Sequence, residues 1–420
     1  MSSYRYIDLF AGAGGLSEGF VRAGFEPVAH VEKDEAACYT LRTRMARHFL
    51  KSINEYEKYV SYLKGEINRV ELYSYIPKRL LDSVINLPIG AEYNPSIHKI
   101  IEKQLEGNDV DLIIGGPPCQ AYSIVGRARS KDNMSQDPRN YLYVQYAKYL
   151  EKYQPKLFVF ENVLGLKSAK DGLYLRNMEK LFLKKGYNMR LFTVDANNYG
   201  VLQNRKRIII IGWRIDFAFL PPDLESFRIE HSFKVGDLFT DLPIIKAKGG
   251  IDKYSSYSAN TNDYLQKYLI RNGIDVLTQH IARPQTEQDK EIYRIAVTKW
   301  NKSSERLNYN DLPERLKTHK NRHSFFDRFK VVATDQSYSQ TVVAHIAKDG
   351  HYYIHPDIKQ NRSISIRESA RLQSFPDDYY FEGVKEGVNQ TPAFRQIGNA
   401  VPPLMAYEIA LIIKEIARWH

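Results

Sequence analysis

Tyr6-Ile7-Asp8-Leu9-Phe10-Ala11-Gly12-Ala13-Gly14-Gly15-Leu16-Ser17-Glu18-Gly19-Phe20 opens the chain with an apolar run, a glycine-rich turn and a helix-like tail. That order predicts a strand, a tight turn and a helix. Glycines in such a turn let backbone N–H groups approach a ligand and let the helix pack closely on the sheet. A nucleotide-like cofactor is the natural guest. The dinucleotide pattern G-x-G-x-x-G needs a third glycine at 17, where the chain carries Ser17, and this weakens a nicotinamide or flavin reading. Next, Gly24-Phe25-Glu26-Pro27-Val28-Ala29-His30-Val31-Glu32 predicts a second strand ending in an acid. A carboxylate at that tip is placed to accept from ribose hydroxyls, with a solvated strand end as the alternative.

Outward from this unit, Val110-Asp111-Leu112-Ile113-Ile114 runs into Gly115-Gly116-Pro117-Pro118-Cys119-Gln120-Ala121-Tyr122-Ser123. Proline cannot donate to a ladder, so the apolar run reads as a buried strand that leaves the sheet just before Cys119. In open α/β sheets that edge binds ligands, and a thiol beside a helix N-terminus is eased toward the thiolate that attacks. Elsewhere a lone cysteine is usually a small buried apolar residue. Lys156-Leu157-Phe158-Val159-Phe160 predicts another buried strand ending at Glu161-Asn162-Val163. A single crossover helix, about Tyr141–Tyr153, separates the two strands, so their ends are expected side by side in a parallel sheet. A thiol then faces a carboxyl group.

The 420 residues, 43% hydrophobic and 26% charged, describe a folded α/β chain with a sizeable core and two domains. Two cysteines, Cys38 and Cys119, exclude a disulfide framework and a four-thiolate zinc site and fit a reducing compartment. No metal site is expected. With no uninterrupted apolar stretch of about 20 residues, the expectation is a soluble cytoplasmic protein that does not enter a membrane. A net charge of +11 points to a polyanionic partner.

The interval from about Ala36 to Asn108 is helix-like and carries no chemical motif; Tyr56, Tyr59 and Tyr62 fall at helical spacing and read as packing residues. Ile124 to Asn133 is polar, basic and weakly periodic, a long loop beside Cys119 suited to closing over a substrate. Asp195 to Arg207 leads into Ile208-Ile209-Ile210-Ile211-Gly212, and the alternation puts Arg205 and Arg207 on one face, where guanidinium forks could hold phosphate or a carbonyl oxygen. From Trp213 to Pro356 the βα rhythm stops, which marks a second domain. Between Arg315 and Lys330 six Lys or Arg stand against one Asp, with phenylalanines and histidines interleaved. Lys317, Lys320 and Arg322 there are candidate nucleic-acid contacts, with a solvated basic face as the alternative. Ile366 to Pro376 reads as a capped helix with a stop, and the pair Pro402-Pro403 opens a terminal helix and fixes Asn399 as a side-chain ligand or cap.

Six blocks in order resemble the cytosine-C5 DNA methyltransferase family: Asp8-Leu9-Phe10-Ala11-Gly12 through Gly15, Pro117-Pro118-Cys119-Gln120, Glu161-Asn162-Val163, Gln203-Asn204-Arg205-Lys206-Arg207, Arg367-Glu368 with Arg371-Leu372-Gln373, and Gly398-Asn399. Together they cover most of 4–213 and 360–412. The resemblance implies a Rossmann-like methyltransferase sheet in a catalytic domain at 1–213 and 357–420, with a target recognition domain at 214–356. It implies S-adenosylmethionine as methyl donor and S-adenosylhomocysteine as product. Phe10, Ala11, Gly12, Ala13, Gly14, Gly15, Leu16, Glu32, Lys33, Pro118, Leu142, Asn399 and Ala400 would line that cofactor. Cys119 would add to C6 of cytosine, Glu161 bond N3 and the amine, and Arg207 reach O2, with Gln120 and Arg205 beside them. The loop after Ser123 would be the lid, with Ser123, Arg127 and Arg129 on duplex DNA.

Two features depart from the family pattern. Lys33 stands where compact members often place an aromatic over the adenine, and the family's acidic residue near the adenine has only Glu92 and Asp109 as candidates in the long interval before Cys119. The resemblance also implies a monomer of the restriction–modification type, with a companion endonuclease left open. A tRNA cytosine-5 methyltransferase, a catalytically silent sequence-specific DNA binder and a nicotinamide oxidoreductase are the rival readings. The basic domain, the intact Cys119, Glu161 and Arg207, and Ser17 oppose them in turn.

Overall fold

The computed structural model describes residues 4–118 and 141–417. Cys119, Gln120, Ser123, Arg127 and Arg129, with the expected lid, lie outside the described residues. Seven strands form one sheet: β1 Arg5–Leu9, β2 Glu26–Glu32, β3 Val84–Asn86, β4 Leu112–Gly115, β5 Leu157–Asn162, β6 Tyr187–Asp195 and β7 Lys206–Arg214. Their order is β3-β2-β1-β4-β5-β7-β6, parallel except for β7, which runs antiparallel to both of its neighbours. The central strands are apolar on both faces because helices cover both. Ile113, Phe158 and Phe160 meet Tyr146 and Phe182 on one side, while Leu112, Ile114 and Val159 share a core with Phe20, Leu404 and Ile409 on the other.

The opening unit folds as its sequence requires. Gly14 adopts the left-handed conformation that starts the helix Gly15–Arg22, and a Cβ on Gly15 would stand 2.2 Å from the Val401 carbonyl oxygen. Ser17 is spent inside the fold: its Oγ lies 2.5 Å from the Tyr6 hydroxyl and 2.8 Å from His30 Nε2. The helix-like interval resolves into helices that enclose Tyr59 and Tyr62 with Leu50, Leu72 and Tyr380, confirming these tyrosines as packing residues. The three-residue strand β3 inside it is too short for a periodicity to reveal.

The interval 214–356 is divided between two cores. Leu224, Val235, Leu238, Tyr264 and Ile270 join the core on one face of the sheet, whereas Ile292, Tyr293, Leu307, Leu312 and Phe329 enclose a smaller core around the helix Glu287–Ser303. Beside these apolar contacts, its junction with the rest of the chain carries a buried ion pair. Arg371, fully buried, lies 2.6 Å from Asp241 in that interval and 2.6 Å from Asp377; close by, within 357–420, Arg362 pairs with Glu368 at 2.7 Å. Such cations are tolerated in a core only because each is matched and hydrogen-bonded. The run Gln390–Ile416, interrupted by Arg395, Asn399 and Glu408, is by length and composition long and apolar enough to cross a bilayer, but 72% of its apolar window is buried inside the fold, where it forms two core helices.

Candidate active site

The C-terminal ends of β1 to β5 and the start of β7 meet at one edge of the sheet. Gly115 pairs with Phe160 across β4 and β5, which sets the two strand ends side by side. Two glycines allow the approach. A Cβ on Gly115, whose φ is +146°, would fall 2.0 Å from the Leu9 carbonyl oxygen, and one on Gly116 would fall 2.7 Å from Glu161 Oε2. The backbone leading to Cys119 therefore passes against the Glu161 carboxyl with no side chain between. Asn162 Nδ2 donates to the Pro117 carbonyl at 3.3 Å and ties the same segment to the end of β5.

Across the site, Arg207 Nε donates to Glu161 Oε1 at 2.9 Å, with both side chains mostly buried. Burial pushes the Glu161 carboxyl above the usual carboxylate range, and the charges of Arg207 and Arg205 pull in the opposite direction. A carboxyl so held can keep its proton and donate it to a ring nitrogen. Arg205 departs from the expected shared face. It precedes β7, is fully buried, and donates from Nη1 to the Val342 carbonyl at 2.6 Å and from Nη2 to those of Ala400 and Gly398 at 2.7 and 3.2 Å. Its forks are occupied by backbone, which leaves Arg207 as the arginine at the carboxyl.

The β1 and β2 tips form the other half. Phe10 and Gly12 both have positive φ, and a Cβ on Gly12 would meet nothing within 4 Å, so open space lies over the turn. Glu32 Oε2 accepts from the Gly12 N–H at 2.9 Å and Oε1 from the Asp34 N–H at 2.8 Å. Each oxygen keeps further acceptor capacity for a hydroxyl. An open turn with a fixed carboxylate at its rim fits the ribose of a nucleoside cofactor. Pro118 and Leu142 are half-buried, Ala400 is buried, and Lys33 and Asn399 are exposed, Asn399 ending the helix Gln390–Asn399.

Asn86, which carries no signal in the sequence, ends β3 opposite Glu32 and donates to the Glu32 and Lys33 carbonyls at 3.2 and 3.1 Å. Of the two acidic candidates, Asp109 precedes β4 at the opposite edge of the sheet, whereas Glu92 lies in the turn between the end of β3 and the helix Asn94–Leu105. The other cysteine, Cys38, donates to the Glu32 carbonyl at 3.3 Å, and burial pushes its thiol up to about 12. It is inert as a nucleophile at neutral pH.

Beneath the turn, Asp8 is buried, and neither carboxyl oxygen has a hydrogen-bond partner among the described residues. Burial, then the Glu32 charge, raises its pKa well above the ordinary value. The folded state therefore favours protonated Asp8, and its stability falls as pH climbs toward and through the raised pKa. Asp8→Asn carries no such dependence. Paired thermal melts from pH 4 to pH 8 are expected to show the wild type losing ground to the variant as pH rises; parallel curves would contradict the burial of an unpaired carboxyl.

The basic segment is more neutralised than its composition implies. Glu314, one residue outside it, pairs with Lys317 at 2.7 Å and Arg322 at 3.0 Å, while Phe325 stacks on His319 with centroids 3.9 Å apart and Phe329 is in the core. Of the three candidate contacts only Lys320 carries no ion pair among the described residues.

The sheet order, with the Glu161–Arg207 pair at its carboxyl edge, is that of a Rossmann-like methyltransferase fold. The chain belongs to the C-5 cytosine-specific DNA methylase family, whose sequence pattern matches residues 4–69 and 86–415, and it is a DNA cytosine-5-methyltransferase. It is 41% identical to the type II methyltransferase M.Bpa9945I of Bacillus paralicheniformis over 99% of both chains. It is 31% identical to the type II methyltransferase M.DdeI of Desulfomicrobium norvegicum, covering 96% of this chain and 87% of that one. Among solved structures, a prophage-encoded E. coli protein described as a DNA modification methyltransferase superposes with a TM-score of 0.65 at 23% identity over 99% of both chains. The S. pombe Dnmt2 methyltransferase superposes at 0.51 and 14%, over 98% of this chain and 99% of that one; these two likenesses establish the fold.

Proposed function

We propose that the chain methylates C5 of a flipped-out cytosine in one specific duplex DNA sequence through a covalent bond between Cys119 and C6, and so protects DNA in a restriction–modification system. The observation that carries the chemistry is the Glu161 carboxyl, held by Arg207 at 2.9 Å and so near Gly116, three residues before Cys119, that a Cβ there would fall 2.7 Å from its Oε2. Carbon 5 of cytosine is a poor nucleophile. Addition of the Cys119 thiolate at C6, with Glu161 donating to N3 and Arg207 holding O2, makes C5 enamine-like. The methyl group comes from S-adenosylmethionine, for which the Phe10–Leu16 turn, Glu32, Pro118, Leu142, Asn399 and Ala400 form the site. A base, water in the simplest case, then takes the C5 proton, the C5–C6 double bond re-forms, and the C6–S bond breaks to release the Cys119 thiolate. Because C6 is unreachable inside a duplex, the base must leave the stack.

The interval 214–356 is read as the target recognition unit, with Lys320 its candidate phosphate contact. The protein acts as a cytoplasmic monomer in this reading, and the type II relatives support DNA over tRNA as substrate. Label from S-adenosylmethionine is expected on unmethylated genomic DNA, with bisulfite sequencing placing it at cytosines in one short motif. Label on total tRNA alone would overturn the DNA assignment.

A further inference from the structure

Gln203 and Arg205 sit two residues apart, both fully buried, and between them they hydrogen-bond to the backbone at Val342, at Leu372 and on both sides of Asn399. Gln203 Oε1 accepts from the Val342 N–H at 2.9 Å, and its Nε2 donates to the Leu372 carbonyl at 2.8 Å. Arg205 takes the carbonyl of the same Val342 and the carbonyls of Gly398 and Ala400. The last two flank Asn399. A parallel bridge between Gln203 and Ser339, with Asn204 N–H donating to the Ser339 carbonyl at 3.0 Å, completes the splint. Arg207, which meets Glu161, follows Arg205 by two residues on the same backbone.

We infer that Arg205, with Gln203, is a positioning pair that fixes the Asn399 turn relative to Arg207, so that the methyl donor and the target cytosine share one frame. This rests on the proposed assignment of Asn399 to the cofactor and Arg207 to the base. A guanidinium can span the Val342 carbonyl and the two carbonyls around Asn399 at once because its donors are spread over a rigid planar fork. A lysine keeps the charge and concentrates it at one point, so it can hold one side of the splint only. Neither residue touches a reacting atom, and the effect is on alignment, where a displacement of about 1 Å can cost about 10²-fold in rate.

The test compares Arg205→Lys, Gln203→Met, Asn399→Ala and wild type. Cofactor affinity is measured directly by calorimetry, and the single-turnover rate is measured at saturating S-adenosylmethionine and DNA and normalised to competent sites counted from the burst amplitude. Arg205→Lys is expected to weaken cofactor binding several-fold and to lower the rate per competent site by about 10²-fold, with Gln203→Met moving both in the same direction. A residue that only stabilises the fold would lower the melting temperature and the number of competent sites and leave the rate per site at the wild-type value, which would overturn the inference. If Arg205→Lys fails to fold, Gln203→Met alone decides between these results. If Asn399→Ala leaves cofactor affinity unchanged, the assignment beneath the inference has failed; if Asn399→Ala weakens binding while both brace variants match wild type, the inference alone has failed.

Discussion

Cys119→Ala is expected to lower methyl transfer by about 10⁴-fold or more, while cofactor binding and duplex binding stay close to wild type. The physical reason is that cytosine C5 acquires nucleophilic character only after a thiolate has added at C6, and the chain has no substitute nucleophile. Cys38, the other cysteine, is buried behind Glu32 and pushed up to about 12. The Gly115-Gly116 approach brings the backbone before Cys119 against Glu161, so the loss should appear in the chemical step. Rate measurements under single-turnover conditions, with filter binding to a target duplex in parallel, check both halves. Comparable turnover in the variant would remove Cys119 from the reaction.

Glu161→Gln is expected to slow the same step by about 10²–10⁴-fold, the range for loss of a positioned proton donor. Glutamine preserves the volume and can still accept from Arg207, so the architecture of the pocket survives. What it loses is the transferable proton that burial keeps on the carboxyl to higher pH than usual. The sign of the pH effect follows: replacing Arg207 by Met withdraws the charge that lowers the Glu161 pKa and should move the corresponding limb of the rate profile to higher pH. Equal single-turnover rates for Glu161→Gln and wild type would show that the carboxyl has no part in the chemistry.

Local signals, those that a strand or a glycine must carry in its own neighbourhood, are legible in the sequence. The runs at 26–32, 112–115 and 157–162 carry an acid or a glycine at or beside their last residue, so the edge with Glu32 and Glu161 can be read from the residues alone. Long-range hydrogen bonding cannot. Arg205 alternates with Arg207 and reads as a second site arginine, yet its partners at 342, 398 and 400 lie more than 130 residues away. The stretch Ile366 to Pro376 reads as a capped helix, but nothing in it tells that Arg367 and Arg371 are buried, Arg371 between two aspartates. The cap itself is legible, since Ser365 and Glu368 form a capping box. Asn86 escapes because a three-residue strand carries no period, and the basic segment misleads because the acid that neutralises it, Glu314, stands one residue before Arg315.

The covalent step is tested most directly with a target duplex carrying 5-fluorocytosine, whose C5 substituent cannot leave as a proton and so prevents release of the enzyme after methyl transfer. The account predicts a complex of wild type with DNA that survives denaturation, forms only when S-adenosylmethionine is present, and yields on digestion a DNA-linked peptide containing Cys119, with none from Cys119→Ala. A wild-type enzyme that methylates ordinary duplex yet leaves no denaturation-resistant complex, or a complex linked through another residue, would contradict it.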